Sequence, residues 1–412
     1  MSISDFFKKK TKEYPSGAKK NTLKGHLFRA RIFAAAAVLA GASLNVSAQS
    51  GSEKSQDLKK QVLAEAFERH SISAKGDTLL TYKVLGGKED AERIGKMVGS
   101  LMKTQTGSGV LKDLEKYGCV IAILPGMGNN LGVYAPDINA VLLNGLAPDS
   151  VLVSTFVHEG AHARQVCSTG YNLDFKLDLA SLFTLGRAME ADATKTQVLA
   201  SYELAQQGDS SAWNGTKLTC AYPVRAFEKS LKEKPKDRLC AERAAFLGYY
   251  DDRDYVQQYE VLYSSGFIRA CRDTPSEKLN ELGSVSLSVD SIAAKICVSG
   301  GRQYLSDASA LKDSTTYYIH DYIKKTLDST LDFLDERRKR ENPAEQTQTA
   351  KRDSSYHNFY ILKFTGGFEM PPAQAKKQKE AAVSKNTEPG KESVPVSGGV
   401  VRQVAFQYGK DR

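Results

Sequence analysis

Two histidines and a glutamate occur in the order H-E-x-x-H, at His158, Glu159 and His162. On a helix, residues four positions apart lie on the same face, so the two imidazoles can bind one metal ion. Glu159 then lies beside them, where its carboxylate can take a proton from a water molecule on that ion. The chain has only six histidines, so a chance match is expected in well under ~1% of such sequences. The pattern predicts a hydrolytic metal site; the alternative is two hydrogen-bonded histidines in a helical core.

A catalytic zinc ion usually takes three protein ligands and a water molecule. In one class of zinc site the motif continues as H-E-x-x-H-x-x-G-x-x-H, and its last histidine is the third ligand. That class is excluded here, because Gln165 and Ser168 occupy the positions of its glycine and its last histidine. Glu190 follows His162 in an alanine-rich stretch whose small side chains permit a close approach of two helices. Glu190 is therefore the predicted third ligand, and Asp174 is the alternative.

Three further polar residues are candidates to support the ligands rather than to bind the ion. Asp192 lies two residues after Glu190 and points to another side of the helix, so it is not expected on the same ion. It is a candidate acceptor for the N–H of a ligating imidazole. Gln165 and Arg187 are weaker candidates for the same supporting role, and each is otherwise an ordinary polar residue.

The residues around the motif favour the helix that the motif needs. Apolar side chains dominate residues 151–157 and no proline interrupts them. Residues 148–150, Pro-Asp-Ser, provide capping oxygens and a proline suited to a first helical turn. We therefore predict a helix that carries the motif.

Strands are predicted immediately before this helix. Residues 119–124 form a short apolar run, and residues 131–134 and 140–144 flank a turn-rich link, as in a hairpin. An edge strand beside a metal-binding helix can bind a substrate backbone as an added strand. Residues 141–144 are the candidate for that edge strand, with an ordinary inner strand as an equal alternative.

The rest of the chain is mainly helical in pattern. The predicted fold class is α+β and zincin-like: a small mixed sheet with an edge hairpin beside the H-E-x-x-H helix, followed by a mainly helical subdomain. A strand is also predicted at 79–85, and 282–289 alternates like a strand. The predicted helices cover residues 53–70, 88–103, 179–207, 222–232, 239–249, 253–263, 291–297 and 316–340.

The N-terminus has the three-part pattern of a secretory signal peptide. Residues 1–31 carry nine Lys or Arg against two acidic residues, 32–44 are apolar, and small residues precede a cleavage site after Ala48. The apolar run of about 13 residues is shorter than the roughly 20 that span a membrane, so a retained anchor is the lesser alternative. We expect an exported protein, periplasmic or secreted.

The charge balance argues against a nucleic-acid partner. Residues 1–48 contribute +7 of the formal net charge of +9, which leaves about +2 for the mature chain. The mature chain shows no basic stripe of the kind that binds nucleic acid. A peptide or protein substrate is the expected partner, with no stable membrane span in the mature chain.

Six cysteines lie in the mature portion, and an even number in an exported chain is consistent with up to three disulfides. They lack C-x-x-C spacing, so a cysteine-bound zinc site is not supported. The predicted domains are the signal peptide at 1–48, a metallopeptidase domain at 49–340 and a polar tail at 341–412 that is largely disordered from about 371. Within the domain, the strand-containing part covers about 79–168 and the helical part about 172–340.

HEGAHARQ followed by RAMEADA resembles the zincin superfamily, and in particular its gluzincin-like members. It is closer still to uncharacterised bacterial metallopeptidase families that pair H-E-x-x-H-x-x-Q with an E-A-D-A helix. The resemblance covers residues 120–204 and implies zinc bound by His158, His162 and Glu190, with Glu159 as the catalytic acid and base. The sequence departs from the best-known gluzincins in a wider gap before Glu190 and in lacking their N-E-x-x-x-D motif.

The expected activity is hydrolysis of peptide bonds by water that a zinc ion activates and Glu159 deprotonates. The alternative is a catalytically silent zincin-fold binding protein of the cell envelope. A third hypothesis is a structural protein that binds no metal. A donor must also stabilise the oxyanion. Downstream tyrosines are candidates that the sequence does not separate: Tyr249, Tyr250, Tyr255 and Tyr259.

Overall fold

A small mixed sheet precedes a larger set of helices in this protein. Its computed structural model describes residues 69–75, 79–124, 127, 130–312 and 321–341. The predicted signal peptide, most of the predicted helix at 53–70 and the predicted tail lie outside the described residues.

The sheet has five strands in the order β1-β2-β3-β5-β4. Strands β2, β3 and β5 run parallel, whereas β1 and β4 are antiparallel to their neighbours and form the two edges. The fold is therefore α+β, as predicted. The strands are β1 (Arg69–Lys75), β2 (Leu79–Leu85), β3 (Val120–Leu124), β4 (Gly132–Ala135) and β5 (Ala140–Asn144).

Strand β5 is an inner strand, so of the two alternatives for residues 141–144 the inner strand is confirmed and the edge strand is wrong. Strand β5 pairs with β3 on one side and with β4 on the other. All five of its residues are buried, which accounts for its continuous apolar sequence. The edge of the sheet beside the motif helix is β4, the first arm of the predicted hairpin.

The described residues form ten α-helices, and most of the predicted helices are present. The stretch at 253–263 is the first half of a longer helix. The helices are α1 (Lys88–Leu101), α2 (Gln105–Lys116), α3 (Asp149–Thr169), α4 (Leu179–Gln206), α5 (Ser211–Thr219), α6 (Ala221–Glu233), α7 (Arg238–Tyr249), α8 (Arg253–Asp273), α9 (Val289–Ile296) and α10 (Asp321–Glu341). None of these helices is long and apolar enough to cross a membrane.

Helix α2 is present in the structure but was not predicted from the sequence. It starts with Gln-Thr-Gly-Ser-Gly, which has low helix propensity and no apolar spacing. Thr104 caps the helix, because its Oγ1 accepts a hydrogen bond from the backbone N–H of Gly107 at 3.0 Å. Val110, Leu111 and Leu114 then bury the apolar side of α2 in the core.

The core that positions the motif lies between one face of the sheet and helices α1, α2 and α3. Leu152, Phe156 and Val157 of α3 are fully buried in it, together with Ile121 and Val141 from the central strands. Burying large apolar side chains contributes roughly 1.5–3 kcal/mol for each one. The motif helix is therefore anchored along its apolar side, and its position is set by the sheet.

Residues 282–289 do not form the predicted strand. The segment makes only an isolated bridge between Leu177 and Val285. Its serines are used instead in local contacts: Ser286 donates to the Asp178 carboxylate, and Ser288 caps α9. Serine side chains of this kind compete with sheet pairing for the backbone.

The six cysteines are free thiols, so the predicted disulfides are not seen. Cys119, Cys220, Cys271 and Cys297 are buried and pack as small apolar side chains. Burial raises the pKa of the Cys119 thiol to about 12, and the neighbouring Cys167 adds to this effect. Such thiols are poorly reactive, because the thiolate is the reactive form.

Candidate metal centre

Helix α3 brings the motif to the inside of the molecule. It starts after Pro148 and ends at Gly170, which adopts the left-handed conformation (φ 68°) that glycine adopts without steric cost. His158 and Glu159 are buried and His162 is half-buried. The predicted helix over the motif is therefore present, and the three motif residues lie largely out of solvent.

Helix α4 packs against α3 and carries the carboxylates. Ala188, Ala191 and Ala193 flank Glu190 in this helix and are fully buried. Such small side chains let two helices approach closely. Glu190 is only 7% exposed, and the approach brings its carboxylate to the two histidines.

His158, His162 and Glu190 converge on one point. Their ligand atoms all lie within 4.8 Å of one another. The two Nε2 atoms are 3.1 Å apart, and Glu190 lies 3.3 Å from His158 Nε2 and 3.4 Å from His162 Nε2. The buried Oε2 of Glu190 has no hydrogen-bond partner among the described residues.

This geometry suits a positive charge between the three side chains. The two Nε2 atoms lie 3.1 Å apart beside a buried carboxylate, so in the absence of a metal ion one of them must carry a proton and donate it to the other. A metal ion would take the place of that proton and accept the lone pairs of both nitrogens. Burial opposes protonation of His162, but the Glu190 carboxylate prevails and raises the pKa of His162 to about 9. Burial likewise opposes ionisation of Glu190, but the charge of His162 and the contacts with both histidines hold the pKa of Glu190 well below its usual range.

Glu159 lies beside this group and is held by the edge strand. Its Oε2 accepts a hydrogen bond of 2.8 Å from the backbone N–H of Tyr134 in β4. A Cβ on Gly132 would lie 2.7 Å from Thr155 Cγ2 and 2.8 Å from Glu159 Cγ, so the strand approaches the helix where a side chain would not fit. Burial raises the pKa of Glu159 despite the opposing effect of the two histidines. A carboxylate with a raised pKa is suited to take up and return a proton.

The alternative ligand, Asp174, is not part of the group. It lies in the connection between α3 and α4, where its Oδ1 accepts a hydrogen bond from the backbone N–H of Lys176 at 3.0 Å. Among the described residues, the side chains that lie close enough together to bind one metal ion are His158, His162 and Glu190.

Of the residues predicted to support the ligands, Gln165 has the predicted role, whereas Asp192 and Arg187 do not contact an imidazole directly. Gln165, and not Asp192, contacts an imidazole: its Oε1 lies 2.9 Å from His162 Nδ1. Asp192 binds the Gln165 side chain at 2.8 Å instead. Arg187 forms a buried ion pair with Glu260 of α8 and thereby ties α8 to α4.

Helix α8 places a row of tyrosines beside the group. Tyr255, Tyr259 and Tyr263 are spaced by four residues and so share one helical face. The Tyr255 and Tyr259 hydroxyls are 3.3 Å apart. A Cβ on Gly186, one turn before Glu190, would lie 2.8 Å from the Tyr263 hydroxyl, so the missing side chain makes room for this tyrosine.

The tyrosine hydroxyls are neutral and partly unpaired. Burial, followed by the charge of Glu190, raises the pKa of Tyr249, Tyr255, Tyr259 and Tyr263 above the usual range. The hydroxyls of Tyr249 and Tyr263 have no hydrogen-bond partner among the described residues. Tyr255 is also influenced by the charge of Glu159. Sequence reasoning missed Tyr263, although its spacing from Tyr255 and Tyr259 was a usable signal.

Comparison with known proteins agrees with this site. The model of a family described as "Putative metallopeptidase family (DUF6782)" matches residues 74–305, which is more than half of the chain. The match covers the sheet from β2 onward and both helices of the His-His-Glu group. No curated protein and no solved structure matches the chain. A metallopeptidase family implies a bound metal, and the chain belongs to this metallopeptidase family.

Proposed function

We propose that the protein is a zinc-dependent peptidase of the zincin type with a gluzincin-like set of ligands. The observation that supports this most directly is the His158–His162 contact, in which two Nε2 atoms 3.1 Å apart meet a buried carboxylate. Two histidines and one glutamate are a ligand set of catalytic zinc sites. His158 Nε2, His162 Nε2 and the Glu190 carboxylate would hold the ion.

A bound zinc ion in such a site supplies a water molecule with a lowered pKa and polarises a carbonyl group. Glu159 performs the proton transfers of the reaction. As water attacks the scissile carbonyl, the carboxylate of Glu159 takes a proton from that water, and it then gives the proton to the departing amine. The hydrogen bond from Tyr134 fixes one oxygen of Glu159, which leaves the other for this transfer.

The outer edge of β4, whose Tyr134 N–H is bonded to Glu159, is the proposed site for the substrate backbone. Strand β4 pairs with β5 on one side only, and its residue Tyr134 contacts Glu159 directly. A peptide added along this edge would run beside the base and would be recognised through main-chain hydrogen bonds. The tyrosine row of α8 supplies neutral hydroxyl donors for the oxyanion. Tyr255, whose hydroxyl lies 3.3 Å from that of Tyr259, is the one to test first.

The test combines metal content with turnover. Purified wild type should contain one zinc per chain by elemental analysis, and both His158→Ala and Glu190→Ala should lose it. Glu159→Gln should keep the zinc and lose hydrolysis of a fluorogenic peptide library. Zinc retention in Glu190→Ala would contradict the ligand assignment. A zinc-loaded wild type that cleaves no peptide in the library would favour a silent binding protein instead.

We also propose that the protein acts outside the cytoplasm, in the periplasm or after secretion. The support is the basic, apolar and small-residue order of residues 1–48. N-terminal sequencing of the protein from the producing cells should find Gln49 as the first residue. A chain that starts at Met1 would contradict cleavage after Ala48.

A further inference from the structure

A hydrogen-bonded chain runs from His162 into the interior of the protein. Gln165 is 2% exposed and follows His162 by one turn of α3. Its side-chain Oε1 lies 2.9 Å from His162 Nδ1, on the side of the ring away from the metal-binding nitrogen. Its Nε2 donates to the Asp192 carboxylate at 2.8 Å and to the backbone carbonyl of Met189 at 3.0 Å.

The two acceptors determine which way the Gln165 amide faces. A carboxylate and a carbonyl oxygen accept hydrogen bonds but do not donate them, so the NH2 group must face Asp192 and Met189. The Oε1 atom is then directed at His162 Nδ1 and can only accept a hydrogen bond from it. His162 therefore carries a proton on Nδ1, which leaves the Nε2 lone pair free for the metal.

Asp192 is itself fixed on all sides. It is 0% exposed. Its Oδ2 accepts from Arg164 at 2.8 Å, and its Oδ1 from Lys195 at 2.9 Å and Tyr304 at 2.8 Å. Burial opposes ionisation of Asp192, but Lys195 and Arg164 outweigh it and lower the pKa of its carboxyl group. A buried carboxylate held by two cations has little freedom to turn.

We propose that Gln165 and Asp192 are positioning residues for the metal site, with Asp192 fixing the Gln165 amide and Gln165 fixing the tautomer of His162. This inference rests on the proposed metal site and deepens it. In many metal sites the ligating histidine donates its second N–H directly to a carboxylate or a backbone carbonyl. Here a neutral amide lies between the imidazole and the carboxylate, so Asp192 can orient His162 without adding its charge to the metal site.

This hydrogen-bonded chain predicts a specific effect of Asp192→Asn on the His162 tautomer. The substitution keeps the size of the side chain. An asparagine amide at this position can offer its NH2 group to Gln165, which removes one of the two acceptors that hold the Gln165 amide. Only the Met189 carbonyl then opposes turning of that amide. The turned amide would present NH2 to His162 Nδ1 and favour the tautomer protonated on Nε2. That tautomer has no lone pair on the nitrogen that faces the site.

The experiment compares wild type, Gln165→Met and Asp192→Asn with the matched control Gln197→Met. Gln197 is also a buried glutamine between α4 and α3, but its Nε2 donates to Ser154 at 3.2 Å, away from His162. Zinc affinity is measured by competition with a chromophoric chelator. Loss of a supporting contact of this kind weakens metal binding by about 10–100-fold. We expect that loss in Gln165→Met and Asp192→Asn, and less than about threefold in the control.

Long-range 1H–15N spectra of metal-free protein at pH 10, above the pKa of His162, report the tautomer directly. Wild type should show the proton of His162 on Nδ1, and Asp192→Asn should show it at least partly on Nε2. Equal zinc affinity in Gln165→Met and Gln197→Met, or an unchanged His162 tautomer in Asp192→Asn, would overturn the proposal. If Asp192→Asn fails to fold, as judged by circular dichroism, Gln165→Met and its control decide.

The spectra also separate this proposal from the proposed function. If wild type bound no zinc but its His162 tautomer depended on Asp192, the positioning role would stand and the peptidase proposal would fall. If wild type bound zinc and neither variant changed affinity or tautomer, the reverse would hold.

Discussion

A proton and a zinc ion should compete for the same nitrogen in this protein. The Glu190 carboxylate that would help to bind zinc also stabilises the protonated form of His162 in the metal-free protein, against the opposing effect of burial. Metal binding must displace that proton, because the ligand is neutral imidazole. Zinc affinity should therefore rise with pH over the range in which His162 loses its proton.

The size of the effect follows from the raised pKa of His162. With a pKa of about 9, about one molecule in 100 has a neutral His162 at pH 7. The apparent zinc affinity at pH 7 should be about 100-fold weaker than its plateau above pH 9. Between these values it should change about tenfold for each pH unit, which corresponds to about 1.4 kcal/mol.

The stability of the metal-free protein should change in the opposite direction. A pKa raised from 6.5 to about 9 means that protonation of His162 stabilises the folded state by roughly 3 kcal/mol. That contribution is fully present below pH 6.5 and is lost as the pH rises through about 9. The zinc-loaded protein should not show this loss, because the ion replaces the proton.

Two titrations test the prediction. Chelator competition gives the zinc dissociation constant from pH 6.5 to 10, and urea unfolding in the presence of excess chelator gives the stability of the metal-free protein over the same range. The control for the stability titration is Glu190→Gln, in which the carboxylate charge is absent and the pH dependence of the metal-free protein should largely disappear. A zinc affinity that stays constant between pH 7 and 9 would refute the reasoning.

Three other changes address the base, the edge strand and the oxyanion donor. Glu159→Gln should bind zinc normally but lower kcat by at least about 10²–10⁴-fold, measured with a fluorogenic peptide. Gly132→Ala should cost about 1–3 kcal/mol in urea unfolding, because its Cβ has no space; the control Gly99→Ala, which meets nothing within 4 Å, should be neutral or stabilising. Tyr255→Phe should lower kcat by about 10²-fold without changing zinc content, whereas a matching loss in Tyr82→Phe, a buried tyrosine of strand β2, would point to packing.

The parts of the site that follow from helical spacing could be predicted from the sequence. His158 and His162 share a face because they are four residues apart, and this holds in any helix. The alanine-rich context of Glu190 correctly predicted a close approach between α3 and α4. Both inferences depend on local geometry.

Strand order could not be predicted in the same way, because it depends on pairing between distant residues. The apolar residues of β5 are consistent with an edge strand beside a helix and with an inner strand. Only its pairing with both β3 and β4 decides between them. Strand β1, Arg-His-Ser-Ile-Ser-Ala-Lys, was missed because it is a largely polar edge strand with little apolar signal.

The three buried carboxylates of the site show why residue type and spacing stop short of assigning roles. Glu159, Glu190 and Asp192 are all inside the protein, where burial alone would raise the pKa of each. The histidines lower the pKa of Glu190, which is the property of a ligand that must stay ionised. Lys195 and Arg164 lower the pKa of Asp192, which makes it a fixed acceptor.

In Glu159 the effect of burial outweighs that of the two histidines, so the pKa of its carboxyl group is raised. This group can therefore take up a proton and release it. Acid and base roles follow when environments move the pKa values of similar groups apart. The partners that set these environments come from β4, α3 and α4. Two of the carboxylates, Glu190 and Asp192, are only two positions apart in the chain. Their different roles therefore arise from their different partners, because Glu190 faces the two histidines and Asp192 is held by Arg164 and Lys195.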